Sequence, residues 1–228
     1  MPDSRISASS PPPPRTGTHA PAHAAERAYH YTKERILRGD LAGGELVSEG
    51  QIGGMLGVSR TPVHEAFLRL DAEHLLTLSS RKGAVVAPMS PQESRDVLEM
   101  REAIESASAR RLLARGRPPK EALAALRFAL DHQRDAVAAD DIDAFVEADD
   151  EFHSVVVRWS GNTLAAHFFA AIRDRQQRLR YQLLSIRSEH LTAALEDHRE
   201  LAERVAAADP EGYAAVLHQH VARHQGGL

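Results

Sequence analysis

Residues 57–67, Gly-Val-Ser-Arg-Thr-Pro-Val-His-Glu-Ala-Phe, constrain this chain more than any other stretch. Ser59 is a good helix N-cap, and Pro62 falls in the first turn, where no intrahelical N–H is needed. Val63, Phe67 and Leu70 then recur at helical spacing, so a short helix with one apolar face starts here. That face turns inward, which leaves Arg60, Thr61 and His64 exposed at the N-terminal end. There the unpaired backbone N–H groups and the positive end of the dipole favour phosphate. A recognition helix for DNA is built this way. An ordinary capped amphipathic helix has the same local pattern, so the flanks have to decide between them.

Before it, residues 26–38 read as a helix with Ala28, Thr32, Ile36 and Leu37 near one face, ended by Gly39-Asp40. Gly43-Gly44 supplies a turn. Ser48-Glu49-Gly50-Gln51 has capping-box spacing and opens a second helix with Ile52, Met55 and Leu56, which Gly57 closes. After the recognition helix, residues 75–79 and 84–87 read as two short strands around Ser80-Arg81-Lys82-Gly83. Three helices and a basic hairpin make a winged helix. Arg81 and Lys82, beside the flexible Gly83, suit backbone and minor-groove contact.

The words Ser-Arg-Thr-Pro-Val-x-Glu-Ala resemble the recognition-helix signature of the GntR family of bacterial transcription regulators, and residues 28–88 are similar to its winged-helix domain. The resemblance implies that the recognition helix enters the major groove and the wing approaches the minor groove, with Ser59, Arg60, Thr61, His64, Arg81, Lys82 and Gly83 toward DNA. His64 stands where the family usually has arginine. An imidazole cannot reproduce that planar fork or its bidentate guanine contact. Gly50 replaces a basic residue that some members carry, His74 a glycine that usually ends the recognition helix, and Gly43 a common proline.

With 228 residues, 43% of them apolar, the chain has room for two domains. Its net charge of −4 looks wrong for a DNA binder until it is divided by region. Residues 26–90 carry eight basic and eight acidic side chains, and residues 91–228 hold eighteen against twenty-three, so the acidity belongs to the C-terminal part. Residues 1–24 contain six prolines and almost no large apolar side chain, the composition of a disordered tail, with folded structure expected from near Glu26. There are no cysteines, no run of eighteen apolar residues and no signal-peptide pattern, so a soluble cytoplasmic protein without membrane contact is expected.

Ser90-Pro91-Gln92-Glu93 is a second helix start, and residues 90–228 read as a separate domain of about six helices, an all-α bundle. Val97, Met100, Ile104, Ala107 and Leu112 mark the inward row of the first, and Leu123, Leu126, Leu130 and Val137 that of the second. Asp140-Asp141 caps the third, which stops at Gly161-Asn162; a fourth runs from about Thr163 toward Ser185, a fifth over residues 192–208, and Asp209-Pro210 opens the last. Trp159, Phe168 and Phe169 read as core, and the charge run of residues 173–180 as a solvated face.

The informative residues are polar ones on apolar stripes. Asp149 falls in the row Ile142, Phe145, Phe152, Val156, with His153 one turn on; His198 sits among Leu191, Leu195, Ala202 and Val205; His220 follows Tyr213, Val216 and Leu217. One inward histidine is usually a satisfied core residue. Three imidazoles and a carboxylate on three helices share one economical solution, a divalent transition metal such as zinc, nickel or manganese. These four residues, with the words Asp-x-x-Phe-His and the Gly161-Asn162 stop, resemble the ligand set of the FCD domain, the helical effector domain of the FadR-like branch of the GntR family. The resemblance implies a homodimer on a short palindromic DNA operator. It also implies a metal that completes a structural core or helps to bind a small carboxylate effector. Arg101, with Glu105 one turn later, matches an arginine motif of the first effector-domain helix. It faces an anionic ligand or forms a surface ion pair. A metal-dependent hydrolase is the alternative, since an Asp-His-His-His site can hold an activated water.

Overall fold

A computed structural model of the chain describes residues 19–79, 83–184 and 189–225. Arg81, Lys82 and residues 1–18 lie outside them. Helix α1 (His19–Arg38) begins earlier than the expected Glu26, because Ala20, Ala22, Ala24 and Ala25 are strong helix formers and Pro21 occupies the first turn. Its row Ala28, Thr32, Ile36 and Leu37 is buried as the periodicity requires, chiefly against the third helix. Strand β1 (Leu46–Val47) is too short to show alternation, and sequence reading passes over it. Helix α2 (Glu49–Leu56) starts where Ser48 Oγ accepts the Gln51 N–H at 3.0 Å and ends at Gly57 in the left-handed region.

Helix α3 (Arg60–Ala72) buries Val63, Phe67 and Leu70. Ser59 precedes it in an extended conformation, but its side chain makes no capping bond, so Ser59 contributes backbone geometry alone. His74, where a glycine is usual, takes φ 60° and turns the chain into β2 (Leu76–Ser79). β2 and β1 both pair antiparallel with β3 (Gly83–Val86), giving the order β1-β3-β2. Gly83 has φ 106°, and a Cβ there would sit 2.2 Å from the Val47 carbonyl oxygen. Close approach of β1 to β3 thus dictates this glycine, rather than the flexibility of a wing tip.

The rest of the described chain is helical: α4 (Pro91–Leu113), α5 (Lys120–Ala139), α6 (Ile142–Trp159), α7 (Thr163–Ala171), α8 (Arg173–Leu184), α9 (Glu189–Ala206) and α10 (Pro210–Gln225). Side-chain oxygens of Ser90, Asp141, Asn162 and Asp209 accept the N–H three residues on, so the cap signals are literal. The single helix expected from Thr163 is two. It breaks at Ile172 because the buried face changes: α7 buries Phe169 beside Ile104 and Val157, whereas α8 buries Gln176, Leu179, Arg180 and Leu183.

Three core assignments are corrected with it. Phe168 and Met100 are 55% and 48% exposed, and Ala107 is exposed. The inward row of α4 includes the polar Arg101, Glu105 and Ser108, which an apolar periodicity assigns outward.

Helix α8 ties the two cores together. Lys33 Nζ lies 2.6 Å from Asp174 Oδ2 and Arg178 Nη1 donates to the Ala87 carbonyl at 2.7 Å, while Arg175 meets Glu93 of α4 at 3.1 Å within the helical part.

Candidate functional site

Asp149, His153, His198 and His220 are buried, and each offers a ligand atom within 4.8 Å of the others. Helix α6 supplies the first two from one face, since residues four apart stack on a helix; α9 and α10 supply one imidazole each. Phe152 stacks on His198 with ring centroids 4.8 Å apart, which fixes that ring within an apolar wall.

The outer ring nitrogens are all engaged. His153 Nδ1 lies 2.7 Å from Glu105 Oε2, His198 Nδ1 2.6 Å from Gln133 Oε1, and His220 Nδ1 3.2 Å from Asp197 Oδ2. Gln133 Nε2 donates to the Ala148 carbonyl at 3.2 Å, so its oxygen is the atom that meets His198. Each partner is an acceptor, which places the proton on Nδ1 and the lone pair on Nε2. His153 Nε2 and His198 Nε2 nevertheless sit 3.0 Å apart. Two facing lone pairs repel at that distance, and a shared cation relieves them. Ligand imidazoles oriented through their far nitrogen are the usual surroundings of a bound transition metal.

Electrostatics agree. Burial pushes the Asp149 carboxyl up, but the permanent charges of Arg180 above all, and then Arg101, hold it well below the usual carboxylate range, so it stays anionic. Burial, reinforced by Arg101, pushes His153 well below the ordinary imidazole value, so it is neutral and able to bind metal. Glu105 is raised by burial against the pull of Arg101.

The charge run of α8 is not a solvated face. Arg180 is 3% exposed, bonds Asp149 through its Nε and lies 3.4 Å from Asp150 Oδ1; Arg173 takes Asp150 Oδ2 at 2.7 Å. Gln176, Leu179, Arg180 and Leu183 form a row at helical spacing, and the single apolar residue Leu179 is too little to mark it within Arg-Asp-Arg-Gln-Gln-Arg-Leu-Arg. Arg101 is not a surface pair either. It is 2% exposed, its Nε donates to Glu105 Oε1 at 2.9 Å and its Nη2 lies 3.3 Å from His220 Nε2, at the margin of the cluster.

Glu105 appears in the sequence as a partner for Arg101, but its hold on His153 does not, and neither do Gln133, Asp197 or Arg180. Gln133 was within reach: it lies in the buried row Leu126, Ala129, Gln133, Ala136, the same signal that marks the histidines.

At the other end of the molecule Ser59, Arg60, Thr61 and His64 are exposed together at the start of α3. His64 Nδ1 lies 2.7 Å from Glu49 Oε1, and the Arg60 guanidinium folds back toward Gly50, 3.5 Å from where a Cβ would stand. The first turn of α2 thus orients two of the expected DNA-facing side chains. Gly83 sits at the start of β3 for the packing reason given above.

Residues 96–223 match the FCD domain, and residues 24–86 match the bacterial regulatory proteins of the gntR family. The chain is 34% identical over 131 residues, 57% of its length and 77% of the relative's, to an uncharacterized HTH-type transcriptional regulator of Agrobacterium vitis. It is 28% identical over 202 residues, 85% of its length and 90% of the relative's, to the HTH-type transcriptional repressor GlaR of Escherichia coli. A crystal structure of a putative GntR regulator from Rhodococcus sp. RHA1 superposes with a TM-score of 0.74 at 20% identity, covering 90% of this chain and 96% of that one, which shows a common fold. The hydrolase alternative falls, because the family and its relatives regulate transcription. The chain belongs to the gntR family of bacterial regulatory proteins and is a ligand-responsive transcription regulator with an FCD effector domain.

Proposed function

We propose that Asp149, His153, His198 and His220 hold one divalent transition metal, and that this metal forms the floor of the effector site. The observation that carries this reading is the set of Nδ1 partners, Glu105, Gln133 and Asp197, which turns three imidazoles toward one point beside an anionic Asp149. A bound metal supplies Lewis acidity and open coordination positions for an oxygen ligand, which favours a small carboxylate. Arg101, at the margin of the cluster, meets the far end of that anion.

The operator contact belongs to Ser59, Arg60, Thr61 and His64 at the start of α3, with Arg81, Lys82 and Gly83 of the wing toward the backbone. A roughly palindromic operator calls for two copies related by a twofold axis. Leu164 and Phe168 of α7 and Met100 of the adjoining α4 leave apolar surface that a second copy covers.

Helix α8 supports a route between the sites. Arg178 and Arg180 are two residues apart and so project to opposite sides, one to the Ala87 carbonyl, the other to Asp149. A ligand that alters the Asp149–Arg180 pair acts on the helix that braces the winged helix. Such coupling is reciprocal: effector changes operator affinity by the factor by which operator changes effector affinity. Titration of the metal-loaded protein with small hydroxy- and dicarboxylates, with and without operator, tests this. Equal coupling factors in both directions support the reading, and ligand binding that ignores operator overturns it.

A further inference from the structure

A cavity of about 570 Å³ lies where the winged helix meets α8, walled by Leu75, Met89, Glu93, Arg175 and Arg178 among others. It is separate from the histidine cluster. Its unusual wall residue is Arg178, 5% exposed, whose guanidinium donates to the neutral Ala87 carbonyl and, among the described residues, has no carboxylate within ion-pair distance. Burial pulls its pKa below the ordinary guanidinium value, against the opposing charge of Glu93. The neighbouring acids are committed elsewhere. Glu93 is taken by Arg175, Glu73 by Lys33 and Tyr29, and Asp71 Oδ1 accepts the Leu78 N–H.

A buried guanidinium left with one neutral acceptor is underpaired, because it carries five donors and a full charge. Arg175 stands three residues before it on the same face of α8, so two forks line one cavity. Its volume is within the range of small-molecule sites, and Leu75 and Met89 supply apolar wall.

We infer that this cavity is a second ligand site, at the domain junction, which takes a small oxyanion on Arg178 with help from Arg175. Paired oxygens, whether of a carboxylate or of a phosphate group, match the guanidinium fork. The walls come from both cores, so an anion bound here favours the arrangement in which they are docked.

The full-length chain is stripped of metal by chelation and titrated with acetate and, separately, with inorganic phosphate at fixed ionic strength. Binding is followed by ligand-observed NMR, in wild type and in His198→Ala. One saturable anion per chain is expected in both, with at least tenfold weaker binding in Arg178→Gln and partial recovery in Arg178→Lys, which restores charge without the fork. Tighter phosphate than acetate identifies a phosphorylated ligand, and the reverse a carboxylate. If Arg178→Gln does not fold, Arg175→Gln must still weaken binding severalfold. Unchanged affinity in a folded Arg178→Gln, or in Arg175→Gln, overturns the site, as does the lack of saturable binding in metal-free wild type. The chelated His198→Ala background separates this outcome from failure of the metal reading.

Discussion

Gln133→Leu isolates the orientation of one ligand from the ligand itself. Gln133 holds His198 by accepting its Nδ1–H at 2.6 Å, and its own Nε2 rests on the Ala148 carbonyl. Leucine keeps the volume and removes both bonds. The Ala148 carbonyl stays within the α6 ladder, so no orphan acceptor remains there. The His198 proton can then shift to Nε2 and be donated across 3.0 Å to His153 Nε2, which satisfies the metal-free pair and spoils it for metal. Losing such an outer partner weakens metal affinity by roughly 10- to 100-fold, or about 1.4–2.7 kcal/mol. Competition against a chromophoric chelator measures this directly. Gln133→Glu, which keeps the acceptor and adds charge, should bind metal at least as well as wild type. Equal metal affinity in Gln133→Leu and wild type would refute the claim that the outer hydrogen bonds fix the ligand tautomers.

Other predictions follow from the remaining contacts. Arg60→Ala should lose about 1–3 kcal/mol of operator binding with the fold intact, measured by titration at matched salt, and unchanged affinity removes Arg60 from the interface. His64→Arg should tighten binding or change the preferred base at one position of each half-site in a randomised-operator selection, since it restores a bidentate donor; identical selections put residue 64 out of reach of the bases. Gly83→Ala forces a Cβ to 2.2 Å from the Val47 carbonyl at φ 106°, and a loss on the order of 2–3 kcal/mol is expected in denaturant unfolding, where wild-type stability contradicts the packing argument. At the junction, burial raises the Glu73 carboxyl but Lys33 and Tyr29 bring it below its ordinary value. Its stabilisation is present above the unfolded carboxyl pKa and disappears as pH falls through the lower folded value. The acid limb of the pH–stability curve should therefore be shallower in Glu73→Gln, and superimposable limbs contradict the assignment.

Much of this was legible in the sequence because it rests on local rules. The caps at Ser48, Ser90 and Asp141 operate as written, and four polar residues on apolar stripes converge within 4.8 Å. What escaped is non-local. Arg180 reads as part of a charge run, and only the packing of α8 on α6 brings it to Asp149. Glu105 joins α4 to α6 across 48 residues of sequence. Strand β1 exists only because β3 pairs with it, and Phe168 resembles a core residue although α7 buries the neighbouring Phe169 and leaves Phe168 exposed.

The central claim is that four buried side chains form one metal site, and metal content by inductively coupled plasma mass spectrometry tests it most directly. Full-length chain purified without chelator, beside His198→Ala, should carry one transition metal per chain, with the variant largely depleted. Wild type that holds no metal, and takes none up on dialysis against zinc, nickel or manganese, would contradict it.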